Sequence, residues 1–209
     1  MVWRAYSITS TPADDFVEYL IVTVPTGPFT QALKKMVIGD LLQVDQQSFW
    51  FMTPDRFVDG DALWMIATGT GLGPFVSMLR ERLVWDRFAR LVLVHGARTS
   101  AELAYAEEFA AMVARPPFAC TPPVLTVLHA LTRDGATTAT GLLHGRITTL
   151  LEGGVLESAA GLVLEVTQSR VMLCGNPAMI EDMRTLLHAR QMRPSRRALP
   201  GQFVTENYW

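Results

Sequence analysis

Cysteine is scarce in this chain: 2 residues in 209, Cys120 and Cys174, in dissimilar contexts and without metal-ligand spacing. That excludes a disulfide-stapled scaffold and a cysteine-based metal site, and it fits a reduced, cytoplasmic protein. No metal is expected. Charge of one sign is also lacking, with a net charge of −2 and a pI near 6.1. Proteins that grip nucleic-acid phosphates or anionic membranes carry a basic excess, so neither partner is expected. No apolar run reaches the length of a membrane span, and Met1-Val2-Trp3-Arg4 does not read as a signal peptide. The 12 prolines and 15 glycines are dispersed, leaving no low-complexity tract, and no internal repeat stands out. What remains is ordinary globular composition, 49% hydrophobic and 18% charged, long enough for one sizeable core or two small ones. A monomer is expected.

Against this background one stretch stands out, Leu63-Trp64-Met65-Ile66-Ala67-Thr68-Gly69-Thr70-Gly71-Leu72-Gly73-Pro74. An apolar run of strand length ends in a small-residue turn, and Pro74 opens a helix read from Phe75 to Trp85. A strand feeding a glycine-rich turn and a helix start is a seat for a phosphate, because backbone amides can approach the anion closely.

Residues 1–53 read as β. Phe16 to Val24 is rich in β-branched and aromatic residues, Pro25-Thr26-Gly27-Pro28 breaks it, Gln31 to Met36 suits a short helix, and Leu41 to Val44 a further strand. From Ala62 strands alternate with helical patterns: Leu91–Val94 then Ala101–Ala114, Val124–Leu128 then Arg146–Leu151, Val171–Leu173 then Pro177–Gln191. Such alternation implies βαβ units and a parallel sheet covered on both faces. Met179, Ile180, Met183, Leu186 and Leu187 form a one-sided helical stripe that belongs to the core. The apolar, aromatic tail Gly201 to Trp209 should dock back on the body. Chemistry is then expected at the carboxyl ends of the strands: the turn at Gly69-Thr70, His95-Gly96-Ala97-Arg98, and Cys174-Gly175-Asn176-Pro177. Arg98, Arg133 and Arg146 each fall near such an end, where together they would clamp a 2′-phosphate and so select NADP over NAD.

With these motifs in order along the chain, the sequence resembles the ferredoxin (flavodoxin)–NADP reductase family, most closely its short bacterial type. The resemblance rests on Arg4-Ala5-Tyr6-Ser7, Tyr19-Leu20-Ile21-Val22, Gly27-Pro28-Phe29-Thr30, Ala67 to Pro74, Cys174 to Met179, and Glu206-Asn207-Tyr208-Trp209. It implies a fold of class α/β plus β: a partial antiparallel FAD-binding β-barrel over residues 1–57, then a Rossmann-like parallel-sheet NADP-binding domain over 58–209, with its C-terminal aromatic tail. It further implies that Arg4 faces the FAD pyrophosphate, that Tyr6 lies against the isoalloxazine beside Ala5, and that Ser7 hydrogen-bonds near the flavin ring nitrogen. Tyr19, Leu20, Ile21 and Val22 resemble the second flavin-contacting strand. Gly27, Phe29 and Thr30 resemble the pyrophosphate turn, and Thr70, between Gly69 and Gly71, the flavin–nicotinamide junction. Arg98, Thr132, Arg133 and Arg146 match positions for the adenosine 2′-phosphate. Cys174, beside Gly175, and Glu206 match residues next to the nicotinamide. The aromatic pair Tyr208 and Trp209 resembles the ring that covers the flavin or its adenine.

The implied chemistry is a relay in which NADPH gives a hydride to FAD and single electrons pass on to ferredoxin or flavodoxin. Arg193, Arg196 and Arg197, the one basic cluster, would meet the acidic face of such a carrier by electrostatic steering. Two alternatives stay open: a diaphorase-type NADPH reductase with another acceptor, and a non-catalytic NADP(H)-binding domain. One departure matters. Family members carry several tens of residues before the Arg-x-Tyr-Ser motif, whereas here it starts at Arg4. The strands that close the barrel are therefore expected to be missing, the chain reads as a fragment of the reductase, and FAD binding should be weak in it.

Overall fold

The computed structural model describes residues 3–45, 52–118, 123–135, 141–196 and 199–207. Its centre is a parallel sheet of β1 (Ala62–Thr68), β2 (Arg90–Ala97), β3 (Val124–Leu131), β4 (Leu142–His144), β5 (Ser169–Gly175) and β6 (Phe203–Asn207), in the order β4-β3-β2-β1-β5-β6. Alternate residues of β1 feed two cores. Leu63, Met65 and Ala67 pack with α2 (Gly73–Leu79), α3 (Arg82–Arg87) and α4 (Ala106–Ala114). Trp64 and Ile66 face α5 (Ile147–Glu152), α6 (Val155–Ala160) and α7 (Pro177–Ala189). Burial on both faces is why β1 reads as a continuous apolar run rather than an alternating one. Each such buried Leu, Ile or Met contributes about 1.5–3 kcal/mol.

The strand order reverses beside β1. The chain winds outward through β2, β3 and β4, then returns to place β5 and β6 on the other side. Ligands of open α/β sheets bind in the crevice at that switch point, outside the strand carboxyl ends. Here the crevice lies between the ends of β1 and β5.

Several expectations change. The helix read from Phe75 to Trp85 is α2 and α3 separated by an extended Glu81, with the Trp85 indole N–H donating to the Leu79 carbonyl at 2.9 Å. The helix read from Ala101 starts at Ala106, after a single turn over Ser100–Glu102. The tail does dock back, as the parallel edge strand β6.

The amino-terminal part departs most. It contains α1 (Pro28–Leu33) and one antiparallel bridge, Ile8 to Tyr19, so the described residues of 1–57 form no barrel. The expected strand at 16–24 has only the single bridge from Tyr19 to Ile8, the one at 41–44 pairs with no strand among the described residues, and Val17, Val22, Val24, Leu41, Leu42 and Val44 are exposed. β-propensity expresses packing against neighbouring strands, and these segments have little of it among the described residues. The linker to the sheet is well anchored. Buried Arg170 at the foot of β5 pairs with Asp59 at 2.5 Å, and the Asp61 and Ala62 amides donate to the Gln168 carbonyl.

Candidate functional site

The switch point is built backbone against backbone. After β1, one 3-10 turn over Gly69–Leu72 leads into α2. A Cβ on Gly71 would stand 2.5 Å from the Cys174 carbonyl carbon and 2.6 Å from the Gly175 amide nitrogen. Gly175, at φ +130°, presses in turn on Thr68, whose carbonyl oxygen lies 2.6 Å from where its Cβ would be. No side chain fits at either position. Thr68 Oγ1 accepts the Asn176 N–H at 2.8 Å, tying the end of β1 to that of β5. Asn176 also caps α7, its Oδ1 accepting the Ala178 N–H at 2.8 Å, with Pro177 filling the first turn. Gly69, by contrast, opens on free space with nothing within 4 Å of a Cβ. The turn is thus rigid below and open above.

Two further segments converge on it. Cys174 is fully buried and pairs in register with Glu206 of β6. Burial holds the Glu206 carboxyl above the usual carboxylate range. On the other side, a Cβ on Gly73 would meet the Ser7 side chain at 3.2 Å, so the segment carrying Ser7 lies directly against the start of α2. Ser7, Thr70, Cys174 and Glu206 are brought to one crevice from four parts of the chain.

The remaining amino-terminal candidates lie in the segments before and beside α1. Tyr6 is half-buried and stacks on Phe29, ring centroids 5.7 Å apart at 27°. Burial raises its hydroxyl above the ordinary tyrosine value, against the pull of the Arg4 charge. Arg4 and Ala5 are exposed, Arg4 donating only to the Trp3 carbonyl among its recorded bonds. Tyr19 supplies the bridge to Ile8, Leu20 packs on the core, Ile21 is half-buried and Val22 exposed. Thr30 is buried, and its Oγ1 accepts the Val24 N–H at 3.0 Å, fixing the turn that contains Gly27.

On the other flank the arginines collect at adjacent strand ends. Thr132 N–H donates to the Ala97 carbonyl at 3.2 Å, and Arg133 N–H to the Arg98 carbonyl at 2.8 Å. Arg146 precedes α5 just after β4. Arg98, Thr132, Arg133 and Arg146 are all exposed on one edge, about 5 Å apart from strand to neighbouring strand. Beneath them His95 is buried on β2 beside His129 on β3, and burial first, then the neighbouring ring, lowers it to about 4, so it is neutral. The Gly69 backbone opposes that shift.

Thr68, Asn176 and His95 are structural members of this site that motif reading passed over as roles, although all three stand inside the stretches it selected. Arg193 and Arg196 fall elsewhere. The Arg193 carbonyl accepts the Gln202 N–H at 2.8 Å and Pro194 bridges Phe203, the first residue of β6, so the pair stands at the opposite sheet edge from Gly71. Cys120, Arg197, Tyr208 and Trp209 lie outside the described residues. No group of His, Cys, Asp and Glu among the described residues is arranged to hold a metal ion, and no helix there is long and apolar enough to cross a membrane.

Comparison with known proteins agrees in both halves of the chain. A family model for the oxidoreductase NAD-binding domain matches residues 65–185. The flavodoxin/ferredoxin–NADP reductase of Escherichia coli is 39% identical over 209 residues, covering 100% of this chain and 81% of that protein. The one from Shigella flexneri is 40% identical with the same coverage. Among solved structures, a ferredoxin NADP+ reductase from Neisseria gonorrhoeae with bound FAD and NADP superposes with a TM-score of 0.91 at 31% identity, covering 100% of this chain and 80% of that one.

Proposed function

The chain belongs to the flavodoxin/ferredoxin–NADP reductase family, and from that membership we propose how its crevice serves the family's reaction. The reaction is NADPH-dependent electron transfer to flavodoxin or ferredoxin, with FAD and NADP(H) as cofactors. The observation that carries the residue assignment is the convergence of Ser7, Gly71, Cys174 and Glu206 on one switch-point crevice.

The residues present fit a dinucleotide. Gly71 and Gly175 leave no volume for side chains, while Gly69 opens on free space, so a flat or extended ligand can lie against bare backbone. FAD, when bound, supplies the conversion of a two-electron hydride into single electrons for a one-electron carrier. Arg4 would hold its pyrophosphate with the first-turn amides of Phe29 and Thr30, and Tyr6, braced by Phe29, would present a flat apolar face. Ser7 would offer its hydroxyl to a ring nitrogen. Tyr19 to Val22 would flank the same ring.

On the nicotinamide side, Arg98, Thr132, Arg133 and Arg146 would clamp the 2′-phosphate, with guanidinium forks matching phosphate oxygens. Thr70 and Cys174 would confine the nicotinamide against bare backbone and exclude water. Glu206, whose carboxyl is raised by burial, would orient the carboxamide. Position supplies most of the rate, since well-oriented reactants gain about 7–11 kcal/mol over free ones.

Arg193 and Arg196 stand away from the crevice and, with Arg197 of the same sequence cluster, would act by long-range steering of an acidic carrier rather than by touching the flavin edge. A cytoplasmic monomer completes the reading. The test is anaerobic NADPH-driven reduction of flavodoxin, ferredoxin and a free dye, repeated at rising salt. Reduction of the protein carriers that slows with salt supports it; turnover with the dye alone moves the assignment to a diaphorase.

A further inference from the structure

The segment that carries Ser7 lacks a ladder of its own. The Ile8 to Tyr19 bridge, the Thr9 N–H to Glu18 carbonyl bond at 2.8 Å and the Glu18 N–H to Ser10 Oγ bond at 3.1 Å tie it to the segment beside it. Yet the side chains of Thr9 and Ser10 are almost fully buried. What fixes them is a polar cluster from α2 and α4. Ser77 Oγ donates to the Ser10 carbonyl at 2.9 Å. Arg80 Nη1 donates to the Thr9 carbonyl at 3.0 Å and to Glu18 Oε2 at 2.5 Å. Its other edge forks onto Glu108, from Nε at 2.7 Å and from Nη2 at 2.9 Å. The guanidinium also lies over the Tyr105 ring, 5.4 Å from its centroid. Tyr105 OH then reaches Glu18 Oε1 at 3.1 Å and Thr9 Oγ1 at 3.3 Å.

Tyr105 carries a second mark. Its φ of 58° is left-handed, a conformation that side chains with a Cβ rarely adopt, and it immediately precedes α4. Strain of this kind persists where the surroundings over-determine it, and it clusters at working sites. Here it aims a phenol back across the molecule at Thr9, two residues from Ser7. The Arg80 hydrogen bonds hold Glu18 below the usual carboxylate range, so the cluster is charged and closed at neutral pH.

Resting on the reductase reading, we propose that Arg80 and Tyr105 are positioning residues for hydride transfer: they set the distance of the Ser7 segment from the Gly69–Gly73 turn, and so the gap between flavin and nicotinamide. Arg80 couples the elements directly, because it ends α2, the helix that the turn opens. Glu108 fixes the angle of the guanidinium fork, and Tyr105 closes the cluster from α4. Nothing in the cluster touches a reacting atom.

The test uses Tyr105→Phe, which keeps the ring and loses the hydroxyl, and Arg80→Lys, which keeps the charge and loses the fork. Amide hydrogen exchange is followed at Thr9 and through Ala62–Thr68, with 2′-phospho-AMP titration and stopped-flow flavin reduction by NADPH in parallel. Exchange at Thr9 should rise about tenfold while β1 is unmoved, the loss expected for one or two hydrogen bonds. Flavin reduction should slow about tenfold or more, with the half-saturating NADPH and the 2′-phospho-AMP affinity within about twofold, as a sub-ångström misplacement predicts. The nicotinamide–flavin charge-transfer absorbance should weaken in step. Unchanged Thr9 exchange in both variants overturns the proposal. So does faster exchange with an unaltered reduction rate, and so does faster exchange spread through β1, which would mark a purely structural role. A wild-type chain that binds 2′-phospho-AMP but reduces no flavin even at saturating FAD overturns the reductase reading and the positioning role with it, and the exchange data then still report whether the cluster holds the segment.

Discussion

Replacing Gly71 with alanine adds one methyl group at the most crowded point of the crevice. The new Cβ would lie 2.5 Å from the Cys174 carbonyl carbon, and ordinary contact begins at 3.4 Å, so the two strand ends must part by about 0.9 Å. Both neighbours are backbone, held on one side by the β1–β5 ladder and on the other by the Thr68–Asn176 bond. Neither can swing aside as a side chain would. Overpacking of this kind costs about 1–3 kcal/mol. For a chain of this size that lowers Tm by about 2–12 °C. The kinetic effect should be larger than the stability effect, because a shift of about 1 Å between reacting groups costs about 100-fold. The assay is stopped-flow flavin reduction by NADPH beside a thermal melt. Affinity for 2′-phospho-AMP should stay within about twofold, since the arginines proposed to hold it stand just beyond the ends of β2, β3 and β4. Gly69→Ala is the control: its φ of +56° brings strain but no collision, so it should destabilise without the large kinetic loss. If Gly71→Ala reduces flavin at the wild-type rate with an unchanged Tm, the close approach of β1 and β5 does not shape the site.

The double change Arg98→Ala and Arg133→Ala should cost about 10- to 100-fold in preference for NADPH over NADH, since a hydrogen bond to a charged group is worth about 1.5–3 kcal/mol; steady-state kcat/KM for both nucleotides checks it. Glu206 gives a pH signature. Its folded-state value is raised by burial, so the folded chain binds the extra proton and its contribution is complete below the ordinary carboxylate range. That contribution is lost as pH rises through the raised value. Denaturant melts should therefore show wild type losing stability relative to Glu206→Gln as pH rises from about 4, and a difference that does not vary with pH would contradict the assignment.

Much of the sheet could be read from sequence because burial on both faces leaves a plain signal: β1, β2 and β5 each carry a continuous apolar run, over residues 63–67, 91–94 and 171–174, and each is followed by a helix. The clustering of Arg98, Arg133 and Arg146 followed from the same logic, since parallel strands deliver their carboxyl ends to one edge. The short elements were illegible. β4 is three residues long, α6 is flanked by Gly154 and Gly161, and β6 runs from apolar Phe203-Val204 into polar Thr205-Glu206-Asn207. An edge strand is defined by its partner, here β5, more than by its own composition. The break between α2 and α3 was hidden for a similar reason: Arg80 and Glu81 are good helix formers, and Arg80 is drawn out instead by Glu18 and Glu108, residues far away in the chain. The segments at 16–24, with a single bridge, and at 41–44 make the converse point, that strong β-propensity remains a preference until another strand supplies its hydrogen bonds.

The central claim is that nicotinamide and flavin meet where Ser7, Thr70, Cys174 and Glu206 converge. Anaerobic stopped-flow reduction of the FAD-loaded chain by NADPH and by its C4-deuterated form tests it most directly. The expected result is stoichiometric bleaching of the flavin in one isotope-sensitive phase, slowed by Cys174→Ala and by Gly71→Ala. Tight binding of 2′-phospho-AMP with neither flavin bleaching nor oxidation of NADPH at saturating FAD would contradict it.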